Sequence, residues 1–404
     1  MSTTPDEVKS LLALRDSINA SIDAYVTVTS EEQAKKPKVD QARQQIWKAA
    51  TKLASETVVP HVPQLQATLI GFQPWLNAVV RTALELDLFE HLGESTSAAE
   101  LAKKTGADEA LLVRIMRVLT GFNIVAELGE LTYAHTPVSR ALMTPGIANL
   151  NKHIFDSSWG CIGKMPDYLK SLEYKNPDQP DNTLSHYATG TDFFSYLRDD
   201  PARLVRFNSA MQGAGGIFAS PIPPSLVKSA GATVGDGGVV MVDIGGGVGQ
   251  VTEKTMEANP GVKGRFIVQD LGKIIDEARA KKPSFEVAEY DFFTEQPVKG
   301  AGIYFMRRVL HDFPDSKCRE ILKNHLSAMT PGKSRLLICE TILPAMGCSG
   351  FESLADISRT TFSSMQRTEK QWRSLLGSVG LKVEKVWTGE EVKGPFGVIE
   401  SVVA

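Results

Sequence analysis

The 404-residue sequence is poor in cysteine: Cys161, Cys318, Cys339 and Cys348 are the only four. They show neither C-x-x-C spacing nor histidines at ligand spacing. That argues against a metal centre and a disulfide framework, and the thiols read as free in a reducing compartment. No apolar run approaches the roughly 20 residues of a membrane span, and the start, Thr4-Pro5-Asp6-Glu7, lacks a secretory or transit pattern. A soluble, cytoplasmic protein is expected. Charge of one sign is also scarce: 44 Lys+Arg against 47 Asp+Glu leave a net charge of −3. Neither nucleic acid nor an anionic membrane finds an electrostatic footprint here. The length accommodates two or more domains of about 100–200 residues each.

What is present is concentrated in the carboxyl-terminal half. Val239-Val240-Met241-Val242-Asp243 is an apolar, β-branched strand ending in an acid, and Ile244-Gly245-Gly246-Gly247-Val248-Gly249 follows. Gly245, Gly247 and Gly249 let the backbone turn tightly and let a ligand approach where any Cβ would clash. The spacing reads G-x-G-x-G, and Gln250 stands where a dinucleotide pattern wants its last glycine, which disfavours a nicotinamide dinucleotide. Arg265–Gln269 is a second short strand, and Asp270 lies about 20 residues past the glycine turn, where a βαβ unit delivers a carboxylate to ribose hydroxyls. Asp270 also suits the N-cap of a helix carrying Leu271, Ile274 and Ile275. Asp291 and Phe292, in Tyr290-Asp291-Phe292-Phe293, suit an adenine amino group and an aromatic wall, or plain loop and core. A ribose-binding acid without a pyrophosphate pattern points to a nucleoside free of phosphates, and S-adenosylmethionine is the obvious one. After a third strand, Ile303–Met306, come Arg307, Arg308 and then His311-Asp312-Phe313-Pro314-Asp315. Strand carboxyl ends are where open α/β sheets bind ligands. His311 is therefore placed beside the cofactor, as a side chain suited to proton removal near neutral pH.

In this order the motifs resemble the plant-type class of S-adenosylmethionine-dependent O-methyltransferases, in a fungal form. The resemblance rests on Asp243–Gly249, Gln269-Asp270-Leu271, Asp291-Phe292-Phe293, Arg308–Asp315, Pro331-Gly332 and Glu340–Pro344, which together span the carboxyl-terminal half. It implies that Asp270 and Leu271 meet the ribose and Asp291 and Phe292 the adenine. Asp243, Gly245 and Gly247 would serve the methionine end, with Arg307 beside the cofactor. His311 would deprotonate the acceptor hydroxyl, next to Asp312 at the substrate, and the oxyanion would then attack the sulfonium methyl in line.

One departure bears on the chemistry. The family flanks its histidine with two glutamates; Glu340 matches the first, but the second falls on Gln366, in Ser363-Ser364-Met365-Gln366-Arg367-Thr368. An amide can hydrogen-bond an imidazole but cannot raise its basicity as a carboxylate does. Arg359 stands where the family usually has an apolar residue. Fungal relatives of this class bind S-adenosylmethionine yet catalyse dehydration and pericyclic ring closure without moving a methyl. His311 favours methyl transfer; Gln366 and Arg359 favour a repurposed pocket.

Val8, Leu11, Leu12, Ile18 and Ile22 recur at helical spacing. A polar segment around Thr29–Asp40 separates this first helix from Ile46–Thr57, and burial against a second subunit is expected, as in the family's homodimers. Ala98–Thr105, Asp108–Leu119 and a hairpin turning at Gly129-Glu130 have the look of a winged helix. The acids Asp108 and Glu109 at the start of the second helix, and the lack of a basic stripe, disfavour DNA. His135 reads either as a capping histidine beside Thr136 and Ser139 or as a polar group reaching the substrate cavity, as in the pericyclase relatives. Trp159, Phe194 and Met211 fall in segments that resemble acceptor-pocket linings and would suit a flat, conjugated substrate. The expected fold is α/β: a doubly wound Rossmann-like methyltransferase domain (231–404), preceded by an all-helical and winged-helix dimerisation domain (1–145) and a helical pocket segment (146–230).

Overall fold

A computed structural model describes residues 5–30, 62–214, 220–392 and 396–404, with the isolated positions 39, 42, 45 and 46. Most of the polar segment Thr29–Asp40 and of the helix expected at Ile46–Thr57 lies outside the described residues. The chain divides into two compact units, Met1–Val80 and Arg81–Ala404.

In the first unit Pro5–Ser30 is a single helix. Of its apolar stripe, Leu14 is buried while Leu12, Ile22 and Val26 are exposed. The helix Val62–Glu85 contains Pro74, and Leu65, Ile70, Phe72 and Trp75 on it are exposed.

The second unit opens with two helices and a hairpin. Ala98–Thr105 starts at a capping box between Ser97 and Glu100 and stops at Gly106 in the left-handed region, which together satisfy its terminal backbone groups. Glu109–Gly121 buries Leu112, Ile115, Met116 and Leu119, one face at helical spacing. Asp108 accepts from the Leu111 N–H at 3.0 Å, so this acid is a helix cap. Strand β1 (Thr96–Ser97) pairs with β3 (Thr132–His135), which pairs with β2 (Val125–Gly129). The reversal falls at Glu130-Leu131, one residue later than the expected Gly129-Glu130. A register shift between Glu127 and Gly129 takes up the glycine, and Leu131 supplies the positive φ of 54°. Helices from Pro137 to Val234 follow, interrupted by a π-helical turn at Ile154–Ser158.

From Val239 the chain alternates strand and helix, and a seven-stranded sheet results. Its strands are β4 (Val239–Ile244), β5 (Arg265–Asp270), β6 (Glu286–Glu289), β7 (Ile303–Arg307), β8 (Arg335–Glu340), β11 (Leu381–Trp387) and β12 (Gly397–Val403), in the order β11-β12-β8-β7-β4-β5-β6. Strand β12 runs antiparallel to both neighbours and the other pairs are parallel. Tyr304 and Met306 belong to a core with Ile321, Leu322, Trp372 and Leu375, while Ile303 and Phe305 belong to another with Leu226, Val227 and Val251. This period-two division, repeated in β8, is why these strands read as unbroken apolar runs: helices cover both faces. The order reverses beside β4. Because β4 and β7 are hydrogen-bonded neighbours, the glycine turn after one and the histidine turn after the other emerge side by side at the carboxyl edge.

Two pairings lay outside the sequence reading. Strand β6, Glu-Val-Ala-Glu, is an edge strand with both glutamates exposed, so it carries no apolar run. The two-residue strands β9 (Ile342–Leu343) and β10 (Arg367–Thr368) pair in parallel and are too short to leave a pattern.

Candidate active site

The glycine turn is held from below and from the side. Asp243 is fully buried, and its Oδ2 accepts from Thr252 Oγ1 at 2.8 Å. Burial pushes its carboxyl up to about 6, against the hydrogen bond from Thr252 and the charge of Arg307, and nearby Asp270 adds to the rise. A Cβ on Gly246 would lie 2.7 Å from the Asp243 carboxyl carbon, so the loop can close over the acid only as glycine. Gly249, at φ 86°, is equally constrained, since a Cβ there would meet Phe285 at 2.1 Å. Asp270, at the end of β5, accepts from the Gly247 N–H at 2.9 Å and from the Leu271 N–H at 2.7 Å. Asp243 thus supports the turn, while Asp270 reaches its open side. Asp291 is exposed and accepts from the Phe293 N–H at 2.9 Å. Phe292 stacks edge-on against Phe313 at 5.7 Å and stands 4.0 Å from where a Gly245 Cβ would be. The residues therefore fit a nucleoside: a glycine cradle, a carboxylate at its lip and an aromatic wall adjoin one another.

The histidine turn is built as firmly. His311 lies in a 3-10 turn, Leu310–Asp312, and is 3% exposed. Ser364 Oγ donates to its carbonyl. The guanidinium of Arg367, 1% exposed, grips the same turn: it donates to Asp315 Oδ1 at 2.7 and 2.9 Å and to the carbonyls of Leu310 and Phe313 at 3.2 and 3.1 Å. His311 Nδ1 is 2.9 Å from Glu340 Oε2, and the His311 N–H reaches Glu340 Oε1 at 3.4 Å. Burial alone would raise the Glu340 carboxyl, but His311, by charge and hydrogen bond, and Arg308 together carry it below the ordinary carboxylate range. On the other side His311 Nε2 is 3.3 Å from Asp312 Oδ1, which Arg359 also holds, at 3.1 Å.

The other sequence-predicted residues are dispersed more widely. Gln366 is buried, and its side-chain oxygen has no hydrogen-bond partner among the described residues; its backbone N–H donates to Asp356 at 2.7 Å. Arg307 lies at the end of β7 with its guanidinium 5.2 Å from the Phe396 ring. Phe194 packs with Phe193 and Phe362 at 5.5 and 6.2 Å. Trp159 stacks on Phe155 at 5.3 Å, and Met211 is half-buried on the helix Pro201–Ala214. His135 meets Ser139 Oγ at 3.0 Å, and its pKa is lowered, chiefly by burial. The backbone of Leu92 also hydrogen-bonds it. Sequence reasoning gave no role to Arg308, although the motif Arg308–Asp315 contains it, nor to Asp356, Phe362 and Ser364, which carry no local signal. Among the described residues no group of His, Cys, Asp and Glu could hold a metal ion.

Fold and site together define a Rossmann-like methyltransferase that uses S-adenosylmethionine. An O-methyltransferase domain family matches residues 172–382, and an O-methyltransferase dimerisation domain matches 71–145. O-methyltransferase afvC of Aspergillus flavus is 36% identical over 77% of each chain. O-methyltransferase xanE of Aspergillus fumigatus is 31% identical over 97% of this chain and 94% of its own. Among solved structures, OxaC in complex with SAH and oxaline superposes with a TM-score of 0.77, at 29% identity, covering 97% of this chain and 100% of that one. LepI in complex with SAM gives 0.79, at 27% identity, covering 95% and 98%. The chain belongs to the O-methyltransferase family.

Proposed function

We propose that the protein methylates a phenolic or enolic hydroxyl of a small, flat secondary metabolite, with His311 as general base. The observation that carries this is the buried His311–Glu340 contact of 2.9 Å, beside the glycine turn at the carboxyl edge of the sheet. A proton on Nδ1, shared with Glu340, leaves Nε2 to take the proton of the acceptor hydroxyl. Asp312 next to Nε2 then stabilises the imidazolium that forms. When bound, S-adenosylmethionine supplies an electrophilic methyl whose C–S bond electrons stay with sulfur as the acceptor oxygen takes the carbon. Asp270 and Leu271 would hold its ribose, Asp291 and Phe292 its adenine, Gly245 and Gly247 over Asp243 its methionine end, with Arg307 alongside. Trp159, Phe194 and Met211 would face the acceptor. His135, held by Ser139, would offer it a polar group. Replacing His311 with Ala should cut turnover by about 10²–10⁴-fold, the usual worth of a positioned base, with S-adenosylhomocysteine affinity retained. Unchanged turnover would remove His311 from the mechanism.

A second reading is favoured by one feature: Gln366, buried and with its side-chain oxygen unpartnered among the described residues, falls in sequence where the family has its second glutamate. On that reading the pocket closes a ring or removes water, as a structural neighbour described as a pericyclic reaction enzyme does its chemistry on this fold, at 26% identity and a TM-score of 0.79. Mass spectrometry of the product decides: an added methyl supports transfer, and an isomer or dehydrated product at unchanged methyl count supports the pericyclase.

The domain reading 1–145, 146–230 and 231–404 belongs to the same proposal. Its first part, winged-helix-like over residues 96–135, would form a homodimer with the amino-terminal helices of a second copy. The exposed apolar residues Leu12, Ile22, Val26, Ile70 and Trp75 support this. A cytoplasmic setting, with its thiols reduced, completes it.

A further inference from the structure

Proton removal by His311 does not account for the cations around it. Arg359 begins a 3-10 turn, Arg359–Phe362, and its guanidinium holds Asp312 Oδ1 at 3.1 Å. That same oxygen is 3.3 Å from Nε2, the nitrogen that must receive the proton. The Nε of Arg359 is buried with no hydrogen-bond partner among the described residues, and the guanidinium lies 5.5 Å from the ring of Phe362. Arg308 adds a second guanidinium. Its backbone is left-handed at φ 54°, a conformation that side chains with a Cβ adopt only at a cost. Burial lowers its pKa most, and Arg359 lowers it further, against Asp312 and Glu340. Two cations are thus held close together at the base, in partly desolvated surroundings where like charges repel. Two anions, Asp312 and Glu340, touch the imidazole, and Asp312 is shared with Arg359; the neutral Gln366 falls in sequence where the family has its second glutamate.

These features share one chemical logic. A phenol with a pKa near 10, as in tyrosine, needs a strong base. A hydroxyl conjugated with a carbonyl loses its proton far more readily, needs little of the base, and instead needs cations for the charge spread over two oxygens. Arginine, with donors in a fixed planar fork, is the side chain suited to that. We propose that Arg359, assisted by Arg308, selects an acidic enol as acceptor: a vinylogous acid whose carbonyl or enolate oxygen accepts from the Arg359 Nε–H while the neighbouring hydroxyl faces His311. This rests on the methyltransferase reading. In the step itself the enol proton passes to His311 Nε2 and the oxygen gains the methyl from S-adenosylmethionine. An enol ether and S-adenosylhomocysteine are the products. Arg359 and Arg308 touch the oxygen that does not react.

Two coumarins of one skeleton test this: 4-hydroxycoumarin, a vinylogous acid, and 6-hydroxycoumarin, a phenol whose hydroxyl is not conjugated with the lactone carbonyl. Binding of each is measured calorimetrically to the full-length protein saturated with S-adenosylhomocysteine. The enol should bind at least about tenfold more tightly. Arg359→Met should weaken the enol alone by about 10–100-fold, the loss of one charge-assisted hydrogen bond of roughly 1.5–3 kcal/mol. Affinity for the phenol and for S-adenosylhomocysteine should stay within about threefold. Arg359→Lys should recover only part, because the charge returns without the planar fork. Should Arg359→Met not fold, Arg308→Gln carries the same expectation. Equal binding of both coumarins, binding of neither, or equal weakening of both by the variants overturns the proposal. Methyl transfer is read separately, with S-adenosylmethionine in place of the product. Selective binding of the enol without any methylated product would sink the methyltransferase reading and leave the anion-binding site standing.

Discussion

Asp243 shows how a residue that reads as a ligand contact also supports the loop. It is buried beneath the glycine turn, bonded to Thr252, with its carboxyl raised to about 6 from an unfolded value of 3.8. A carboxyl raised on folding is most compatible with the fold below its unfolded pKa, and stability is lost as pH climbs from about 4 through 6. Asp243→Asn should therefore stabilise the ligand-free protein above pH 6, by at most about 3 kcal/mol for a two-unit shift, and have little effect at pH 4. Chemical denaturation at both pH values measures this; an equal effect at both would show that Asp243 is not tuned by burial. The sequence showed the acid before the glycines, but not its bond to Thr252 or its burial, which depend on the helix that follows. At His311 the reverse holds. Its order after a strand and before Asp312 was legible, and so was Glu340 from the family pattern. The clamp by Arg367 and Ser364 was not, because those residues lie more than fifty positions away and meet the turn only through packing.

Among the elements, the glycine turn joins local conformation to binding. Gly249 has φ 86°, and a Cβ there would overlap Phe285 at 2.1 Å, so Gly249→Ala meets both a backbone and a steric penalty. Each costs about 1–3 kcal/mol, and S-adenosylhomocysteine affinity should fall more than tenfold. Calorimetry showing unchanged affinity would detach the turn from the cofactor. The helix Asp315–Leu326 makes a different prediction. Its His325 is buried, with Nδ1 2.7 Å from the Ile321 carbonyl, and burial lowers its pKa to about 4 despite that contact. A histidine depressed on folding costs stability as pH falls, because the unfolded chain takes the proton first, from about 6.5 downward. Stability should decline between about pH 6.5 and 4, with roughly 3 kcal/mol of the loss due to this group. His325→Gln should flatten that part of the pH profile. An unaltered profile would place the acid sensitivity elsewhere, His153 being next since its pKa is also lowered to about 4 by burial. The strands β4, β5, β7, β8, β11 and β12 were legible as apolar runs, whereas β6 was not, because an exposed edge needs no such run.

For the whole molecule the open matter is assembly. An O-methyltransferase dimerisation domain matches residues 71–145, and apolar side chains of the helices Pro5–Ser30 and Val62–Glu85 are exposed in the single chain. Scattered exposed apolar residues are ordinary, but a run along one helix marks a surface that is covered in use. A dimer should therefore be the species seen by analytical ultracentrifugation at micromolar concentration, and Ile70→Glu with Trp75→Glu should release monomer. A monomer in the unaltered protein would leave that apolar surface unexplained.

The sequence by itself determined most of the strands along the chain, the glycine turn, the family and the place of His311 after a strand, because each is written in residues that are neighbours in the chain. Helix and strand periodicity, a turn that only glycine can make, and a histidine following a strand are short-range properties, and short-range properties survive in a linear string. What only the tertiary structure decided is how the site is charged. Arg359 reaches Asp312 from 47 positions away and Gln366 comes to Asp356 across a turn. Arg308 lies 5.8 Å from the ring of Phe396, the residue before β12 and nearly ninety positions further along the chain. Coulomb interactions depend on distance in space and on how much water is excluded, and neither quantity exists until the chain has folded.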